Sequence, residues 1–372
     1  MQKPAQSMLP KGTLLQGKYR IESFLASGGF GNTYYAIHTA LQKPVAIKEF
    51  FMRGINGRER DTLTVLVSNN ANQALFDEQR IKFQKEARRI SRLNNPHIVH
   101  VSDLFAENGT CYYVMEYIDG ESLSVKMKNR NGPFSEPEIV NVLNQMLDAL
   151  SSIHEHGIWH MDIKPGNILM DRQGKCTLID FGSSKQSSMG DGATTSTSMS
   201  YTQGYAPSEQ INGLQNKWGP WTDFYALGAT LYNLLTMERP PLFDDILENE
   251  GQAFHYPRQV SQGIRDLIQW MMNPMVTYRP QSVEGIRKFI STNLQESEVE
   301  SKDSSHGHSQ DGTDSGIASD DTLVERGGTV EPSDTEYSNV PKNPSEEETA
   351  VEGPKNKTFT VNGVSFTMVY VQ

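Results

Sequence analysis

Two kinds of sequence lie end to end in this chain, and their order limits the folds it can adopt. From Tyr19 to Ile47, aromatic and β-branched residues come in short runs punctuated by glycine or proline: YRIESFLA, TYYAIH and PVAIKEF. Such runs read as strands, and CYYVMEYI at 111–118 continues the pattern. One helix interrupts them: in FDEQRIKFQKEARRISRL, residues Phe76, Ile81, Phe83, Ala87, Ile90 and Leu93 fall near helical spacing. From Ser135 the period changes. EIVNVLNQMLDALSSIHEHG reads as an amphipathic helix ending at Gly157, and TDFYALGATLYNLLT and IRDLIQWMMN as further helices. A β-rich part followed by a helix-rich part predicts an α+β fold of two lobes, 17–118 and 119–293. The polar stretch RGINGRERDTLTVLVSNN, between Lys48 and Glu86, reads as a hairpin or a surface loop.

The flanks differ from this body. Residues 1–16 read as a loose leader without the apolar core of a signal peptide. Residues 294–355 are rich in Ser, Asp, Glu, Gly and Thr and nearly free of aromatics, so a disordered acidic linker is expected. Glu296 to Glu352 holds sixteen acidic and three basic side chains, a net of -13 against -11 for the whole chain. The rest is close to neutral, and the acidic segment argues against nucleic acid as its partner. The last stretch, 356–372, has two β-rich runs around Asn362-Gly363 and reads as a hairpin opening a domain that is not completed. No run of eighteen apolar residues occurs, so no transmembrane helix is expected. The two cysteines, Cys111 and Cys176, sit in apolar strand-like runs and read as buried and reduced. These features point to a cytoplasmic protein whose 372 residues can build a core without disulfides.

The chemistry starts with Ala26-Ser27-Gly28-Gly29-Phe30-Gly31, a glycine-rich turn between two strands. Glycine lets backbone N–H groups approach phosphates, although an ordinary glycine-rich hairpin is equally compatible with this run alone. Seventeen residues after Gly31, Lys48 ends the apolar strand Ala46-Ile47. With that turn upstream it reads as a phosphate-pairing lysine rather than a solvated edge residue. Glu86 on the following helix is its natural anionic partner. The strongest signal is His160-Met161-Asp162-Ile163-Lys164-Pro165-Gly166-Asn167. Phosphoryl transfer to a hydroxyl needs a carboxylate to orient the nucleophile, which suits Asp162. It needs hard oxygen ligands for Mg²⁺, which suits Asn167. Lys164 can neutralise charge on the group in flight. Thirteen residues beyond Asn167 comes Asp180-Phe181-Gly182, whose aspartate suits the same metal.

Together these motifs resemble the eukaryotic-type protein kinase family, in its bacterial branch, from about Tyr19 to Ile290. The resemblance continues through Ala206-Pro207-Ser208-Glu209, Asp223-Phe224 with Gly228, and Arg279. It implies a bilobal fold, ATP and Mg²⁺ as nucleotide and metal, and protein Ser/Thr hydroxyls as acceptors. Lys164 resembles Ser/Thr-specific rather than Tyr-specific members. The resemblance further implies that Met115 is the gatekeeper and that Glu116 and Tyr117 form the hinge, with Ala46 and Thr33 bordering adenine. It implies a buried Glu209–Arg279 pair, a Thr202 bridge to Asp162 and Lys164, and a hydrophobic spine of Ile90, Val101, His160 and Phe181. The terminal FTVNGVSFTMVYV resembles the first strands of the formylglycine-generating, sulfatase-modifying domain.

Three positions depart from the family pattern. Ala26 stands where the first loop glycine is usual, and Thr33 where a valine is. Met161 replaces the arginine before the catalytic aspartate, so activation is not expected to depend on a phosphate docked there. Yet SSKQSSMGDGATTSTSMSYT, from Ser183 to Thr202, is dense in hydroxyls. It is compatible with a flexible polar loop or with autophosphorylation. A pseudokinase scaffold would lack Lys48, Asp162 or Asp180, and a small-molecule phosphotransferase would lack the APE-like segment; this chain has all of them.

Overall fold

The computed structural model describes residues 8–28, 31–182, 185–186, 201–249, 252–294, 357–361 and 364–368. The chain divides into two units, Met1–Gly307 and His308–Gln372. The first carries the two lobes.

The first lobe is a twisted antiparallel sheet. Its strands are β1 (Leu14–Leu15), β2 (Tyr19–Gly28), β3 (Gly31–His38), β4 (Lys43–Phe50), β7 (Val101–Glu107) and β8 (Thr110–Glu116), in the order β1-β2-β3-β4-β8-β7. The short strands β5 (Asn56–Arg58) and β6 (Val65–Val67) form a separate hairpin between β4 and the helix α1 (Gln73–Ile90). The period of two sorts side chains onto two faces. Tyr112 and Val114 join Leu15, Ile21, Tyr34, Ala36 and Ile47 on one face. Cys111 and Tyr113 turn to the other, where Phe50, Phe76 and Phe83 pack with α1. Phe76, Gln79, Phe83, Glu86, Ala87 and Ile90 form the buried stripe of α1. Ile81, expected in that stripe, is 50% exposed, because two residues from Gln79 is half a turn away on a helix.

The first lobe corrects the leader expectation for residues 8–16. Leu15 is fully buried and β1 pairs with β2, Leu15 facing Tyr19. The Leu9 N–H donates to the Tyr34 hydroxyl at 3.1 Å. These apolar side chains close the sheet face opposite α1, which would otherwise lie open to water. The polar stretch after Lys48 takes the hairpin alternative rather than the loop. Its Arg58 is buried and ion-paired with Glu49 on β4, and the Val65 N–H donates to Asn108 O at 2.8 Å. The hairpin is therefore built into the lobe.

Beyond β8 the chain turns helical. Strand β9 (Gly120–Ser122) precedes α2 (Leu123–Asn129) and α3 (Glu136–Glu155). The short strands β10 (Ile158–Trp159), β11 (Ile168–Asp171) and β12 (Cys176–Leu178) follow, then β13 (Lys185–Gln186). The helices α4 (Ser208–Ile211), α5 (Pro220–Thr236), α6 (Phe243–Asn249), α7 (Gln262–Met271) and α8 (Val283–Asn293) complete the lobe. At the start of α3, Glu138 reaches back to accept from the Ser135 N–H at 2.8 Å. The helix ends at Glu155, and Gly157 just beyond it takes φ 65°, where glycine is favoured. Helix α5 is buried on all sides and is the lobe's axis. Gly228 lets α7 approach it: a Cβ there would stand 2.8 Å from the Met271 Cβ. Arg279 and Glu209 form a buried ion pair at 2.7 Å.

In the second unit, β14 (Lys357–Val361) pairs antiparallel with β15 (Val364–Met368), Val361 facing Val364. The Asn362-Gly363 turn lies outside the described residues, as does the linker from 295 to 356. Cys111 and Cys176 are free and buried, and burial pushes both thiols up to about 12. Among the described residues, no helix is long and apolar enough to cross a membrane.

Candidate active site

The loop between β10 and β11 carries His160 to Asn167. Asp223, at the start of α5, fixes its backbone by accepting from the His160 N–H and the Met161 N–H, each at 2.9 Å. Gln210 Nε2 donates to the Met161 carbonyl at 2.7 Å. Held from both sides, Met161 adopts φ 66°, a left-handed conformation that methionine rarely takes, and its side chain is buried. The Met161 side chain thus joins the lobe interior.

The bend aims Asp162 outward, where three groups converge on its carboxylate. Lys164 Nζ lies 3.0 Å from Oδ1 and 2.8 Å from Oδ2. Thr202 Oγ1 donates to Oδ1 at 2.9 Å and accepts from Lys164 Nζ at 3.0 Å. Asn167 Nδ2 donates to the Asp162 carbonyl at 2.8 Å and to Oδ2 at 2.9 Å. Those donations leave the Asn167 amide oxygen as its acceptor. Strands β11 and β12 pair, and the Ile179 N–H donates to Asn167 O at 2.9 Å, which brings Asp180 beside this loop. His160 Nε2 meets Ile179 O at 3.2 Å while its Nδ1 accepts from the Asp162 N–H at 3.3 Å, fixing the Nε2–H tautomer. Burial lowers the His160 pKa, keeping this ring neutral. Its ring meets Phe181 edge-on at 4.7 Å, and Ile90 and Val101 are buried in the same core as Phe181.

The sheet lobe supplies the facing half. Lys48 Nζ bonds Asp180 Oδ1 at 2.6 Å and Glu86 Oε1 at 3.4 Å. Burial works against the Lys48 charge, but Asp180 and Glu86 outweigh it and hold its pKa well above the usual range. Lys48 pulls the Asp180 carboxyl down to about 2. Burial raises the Glu86 carboxyl against the opposing pull of Lys48. Gly182 closes the group: a Cβ there would stand 3.3 Å from Asp180 Oδ1 and 3.9 Å from Lys48 Nζ.

The remaining expected residues line the same side of the sheet lobe's end or its edge. Ala26 pairs with Thr33 and Gly28 with Gly31 at the tip of the β2–β3 hairpin. Ser27 Oγ lies 3.0 Å from Asn32 Oδ1. A Cβ on Gly28 would meet open space, whereas one on Gly31 would collide with the Glu49 carbonyl. Gly29 and Phe30 lie outside the described residues, as do 183–184 and 187–200. Thr33 pairs with Lys48, and Ala46 with Met115. Glu116 ends β8, its N–H donating to His100 O at 3.0 Å, and the Tyr117 ring meets Tyr35 at 4.7 Å.

Sequence reasoning missed Tyr113, whose hydroxyl donates to Glu86 Oε1 at 3.1 Å. It missed Gln210 and His154, whose Nε2 lies 2.9 Å from Asp223 Oδ2. The alternation of β8 was the available signal for Tyr113, since it sends residue 113 toward the helix that carries Glu86.

A family model described as the protein kinase domain matches residues 19–289. Serine/threonine-protein kinase F of Synechocystis sp. is 33% identical over 73% of this chain and 54% of its own length. Serine/threonine-protein kinase PrkC of Bacillus subtilis is 32% identical over 74% of this chain and 37% of its own. PknA of Mycobacterium tuberculosis is 30% identical over 72% and 60%. The chain thus spans between 37% and 60% of these three relatives. A solved structure of PpkA-294 in its apo form superposes with TM-score 0.66 and 25% identity, covering 77% of this chain and 100% of that one. The two lobes, the loop that presents Asp162 and the match across 19–289 place this chain in the protein kinase domain family.

Proposed function

We propose that the chain transfers the γ-phosphoryl group of ATP to Ser or Thr hydroxyls of proteins. The observation that carries this reading is the Asp162 carboxylate, held by Lys164, Thr202 and Asn167 opposite the Lys48–Asp180 pair. A carboxylate so fixed can accept a hydrogen bond from an acceptor hydroxyl, orient its oxygen and take its proton as the bond to phosphorus forms. Lys164 balances negative charge at the same place. Lys48 pairs with the nucleotide phosphates, and Glu86 keeps its ammonium in position. Ala26 to Gly31 covers the phosphates, while Thr33, Ala46 and Met115 to Tyr117 border the adenine.

Mg²⁺ belongs to the same proposal. The Asn167 amide oxygen and the Asp180 carboxylate are hard oxygen donors, the type this ion takes. Among the described residues, no cluster of three or more His, Cys, Asp or Glu side chains is placed to hold a metal. Two protein ligands completed by phosphate oxygens and water suit Mg²⁺. When bound, the ion would neutralise phosphate charge. The free, buried cysteines support a cytoplasmic setting.

The test is transfer of labelled phosphate from ATP to casein by the full chain. Asp162→Asn should lower kcat by about 10²–10⁴-fold with KM for ATP within about twofold. Equal activity in the two proteins would overturn the assignment. Self-phosphorylation is part of the same reading, since eleven Ser and Thr hydroxyls lie between Ser183 and Thr202. Mass spectrometry after incubation with ATP should find phosphate there in the wild type and none in Asp162→Asn. An unmodified segment in the wild type would remove that part.

A further inference from the structure

On the reading just proposed, Glu86 must hold Lys48 against the phosphates. The two residues come from α1 and β4, 38 positions apart, so something must fix the helix against the sheet. We infer that Tyr113 is this positioning residue, its ring gripping α1 and its hydroxyl holding the Glu86 carboxylate at Lys48.

The geometry converges on one oxygen. Tyr113 Oη donates to Glu86 Oε1 at 3.1 Å, and Lys48 Nζ reaches that same oxygen at 3.4 Å. The Lys48 ammonium also lies 5.6 Å from the centre of the Tyr113 ring, within cation–π range. The other side of the ring's contact is α1 itself, where Phe83 lies 4.9 Å away. Phe83 and Glu86 are one helical turn apart, so ring and hydroxyl hold the same face of the helix. Tyr113 thus touches both members of the pair and the helix that carries one of them.

The chemistry of the hydroxyl fits the task. Tyr113 is 2% exposed, so water does not compete for its hydrogen bond. Burial, reinforced by the Glu86 charge, lifts its pKa well above the ordinary tyrosine value, so it stays a protonated donor. A donor to a carboxylate favours the ionised form, which offsets the burial that works against the Glu86 charge. Phenylalanine would fill the same space and pack against Phe83 equally well. The hydroxyl is therefore separable from the packing. This hold needs no group from 183–202, in keeping with a methionine at 161 where a phosphate-binding arginine would otherwise stand.

The test compares wild type, Tyr113→Phe, Glu86→Ala and the double variant as full chains. Calorimetric titration with ATP and Mg²⁺ reads affinity, initial rates with casein read KM for each substrate, and melting curves report folding. Tyr113→Phe should weaken ATP binding, and raise KM for ATP, by about tenfold, as expected for losing a hydrogen bond to a charged group. KM for casein should not change and the melting temperature should fall only modestly, as for one lost buried hydrogen bond, whereas a merely structural role would lower melting and leave KM for ATP alone. In the Glu86→Ala background the same substitution should alter ATP affinity by less than about twofold. Wild-type affinity in Tyr113→Phe, or an equal loss in both backgrounds, would overturn the inference. A wild type that binds ATP without transferring phosphate would sink the kinase reading alone, and the binding comparison would still decide the role of Tyr113. A wild type that binds no ATP would overturn both.

Discussion

The two halves of the site are built differently. In the helical lobe, Asp162 is held by three side chains, and the backbone before it by Asp223 and Gln210. In the sheet lobe, Lys48 rests on two carboxylates from distant segments, and one contact, to Glu86, is long at 3.4 Å. The buried Arg–Glu pairs repeat the contrast. Every guanidinium nitrogen of Arg279 is bonded: Nε to Asn273 O at 2.6 Å, and the other two to Glu209 at 2.7 and 3.2 Å. Arg58 pairs with Glu49 and donates to Leu63 O at 2.7 Å, but its Nε has no partner among the described residues. At these ion pairs the helical lobe is the more fully bonded, although the buried Tyr225 and Tyr256 hydroxyls of that lobe also lack partners among the described residues.

The largest effect tests that contrast on stability. Removing one member of a buried ion pair leaves an unpaired buried charge, so Arg279→Met should cost about 3–5 kcal/mol of unfolding free energy in urea. Arg58→Met should cost about 1–3 kcal/mol less, because the wild type already carries the penalty of an unsatisfied Nε–H there. Equal losses would mean that the sheet lobe is as tightly determined as the helical one.

The next effect concerns activity, through two glycines. A Cβ on Gly182 would press against Asp180 Oδ1, the oxygen that binds Lys48. Gly182→Ala should therefore lower kcat/KM for ATP by about tenfold, the usual scale for a small misplacement of reacting groups. A Cβ on Gly166 would meet only Ser124 Oγ at 3.9 Å, an ordinary contact. Gly166→Ala should stay within about twofold of wild type. If Gly166→Ala proved the more damaging, the group around Asp162 rather than the group around Lys48 and Asp180 would be the strained one.

How much of this was legible follows the same division. Asp162, Lys164 and Asn167 lie within five positions, so their spacing alone brings them together. The Glu209–Arg279 pair was legible only through resemblance, because its members are 70 positions apart. Arg58 was not legible at all. It sits in a stretch that reads as solvated, and nothing local says that it will reach Glu49. Residues 8–16 read as a leader because the two-residue β1 is too short to show alternation, and burial of Leu15 depends on a sheet edge elsewhere. Tyr113 read as one more aromatic in an apolar strand. Its function depends on a hydroxyl, and strand periodicity carries no information about hydroxyls.

The smallest effect separates the lobes at their surfaces, through pH. Glu138 in the helical lobe binds Arg130 through both of its oxygens at 3.1 Å and accepts from the Ser135 N–H at the start of α3. Arg130 in the first place, and the Ser135 bonds after it, lower its pKa from 4.5 to about 2. A depressed carboxyl binds its proton more weakly in the folded protein, so its contribution is complete above 4.5 and lost as pH falls toward about 2. Its side chain is 44% exposed, and solvent screening limits the effect to about 1 kcal/mol or less. Glu22 in the sheet lobe is lowered by Arg20, but without a helix cap to complete the arrangement. Glu138→Gln should flatten the acid limb of urea stability between about pH 2 and 4.5, and Glu22→Gln should flatten it less, because solvent screens its surface pairs to Arg20 and Lys11. An equal response in both variants would show that the Arg130 fork and the helix cap add nothing, and the contrast between the lobes would then be confined to their interiors.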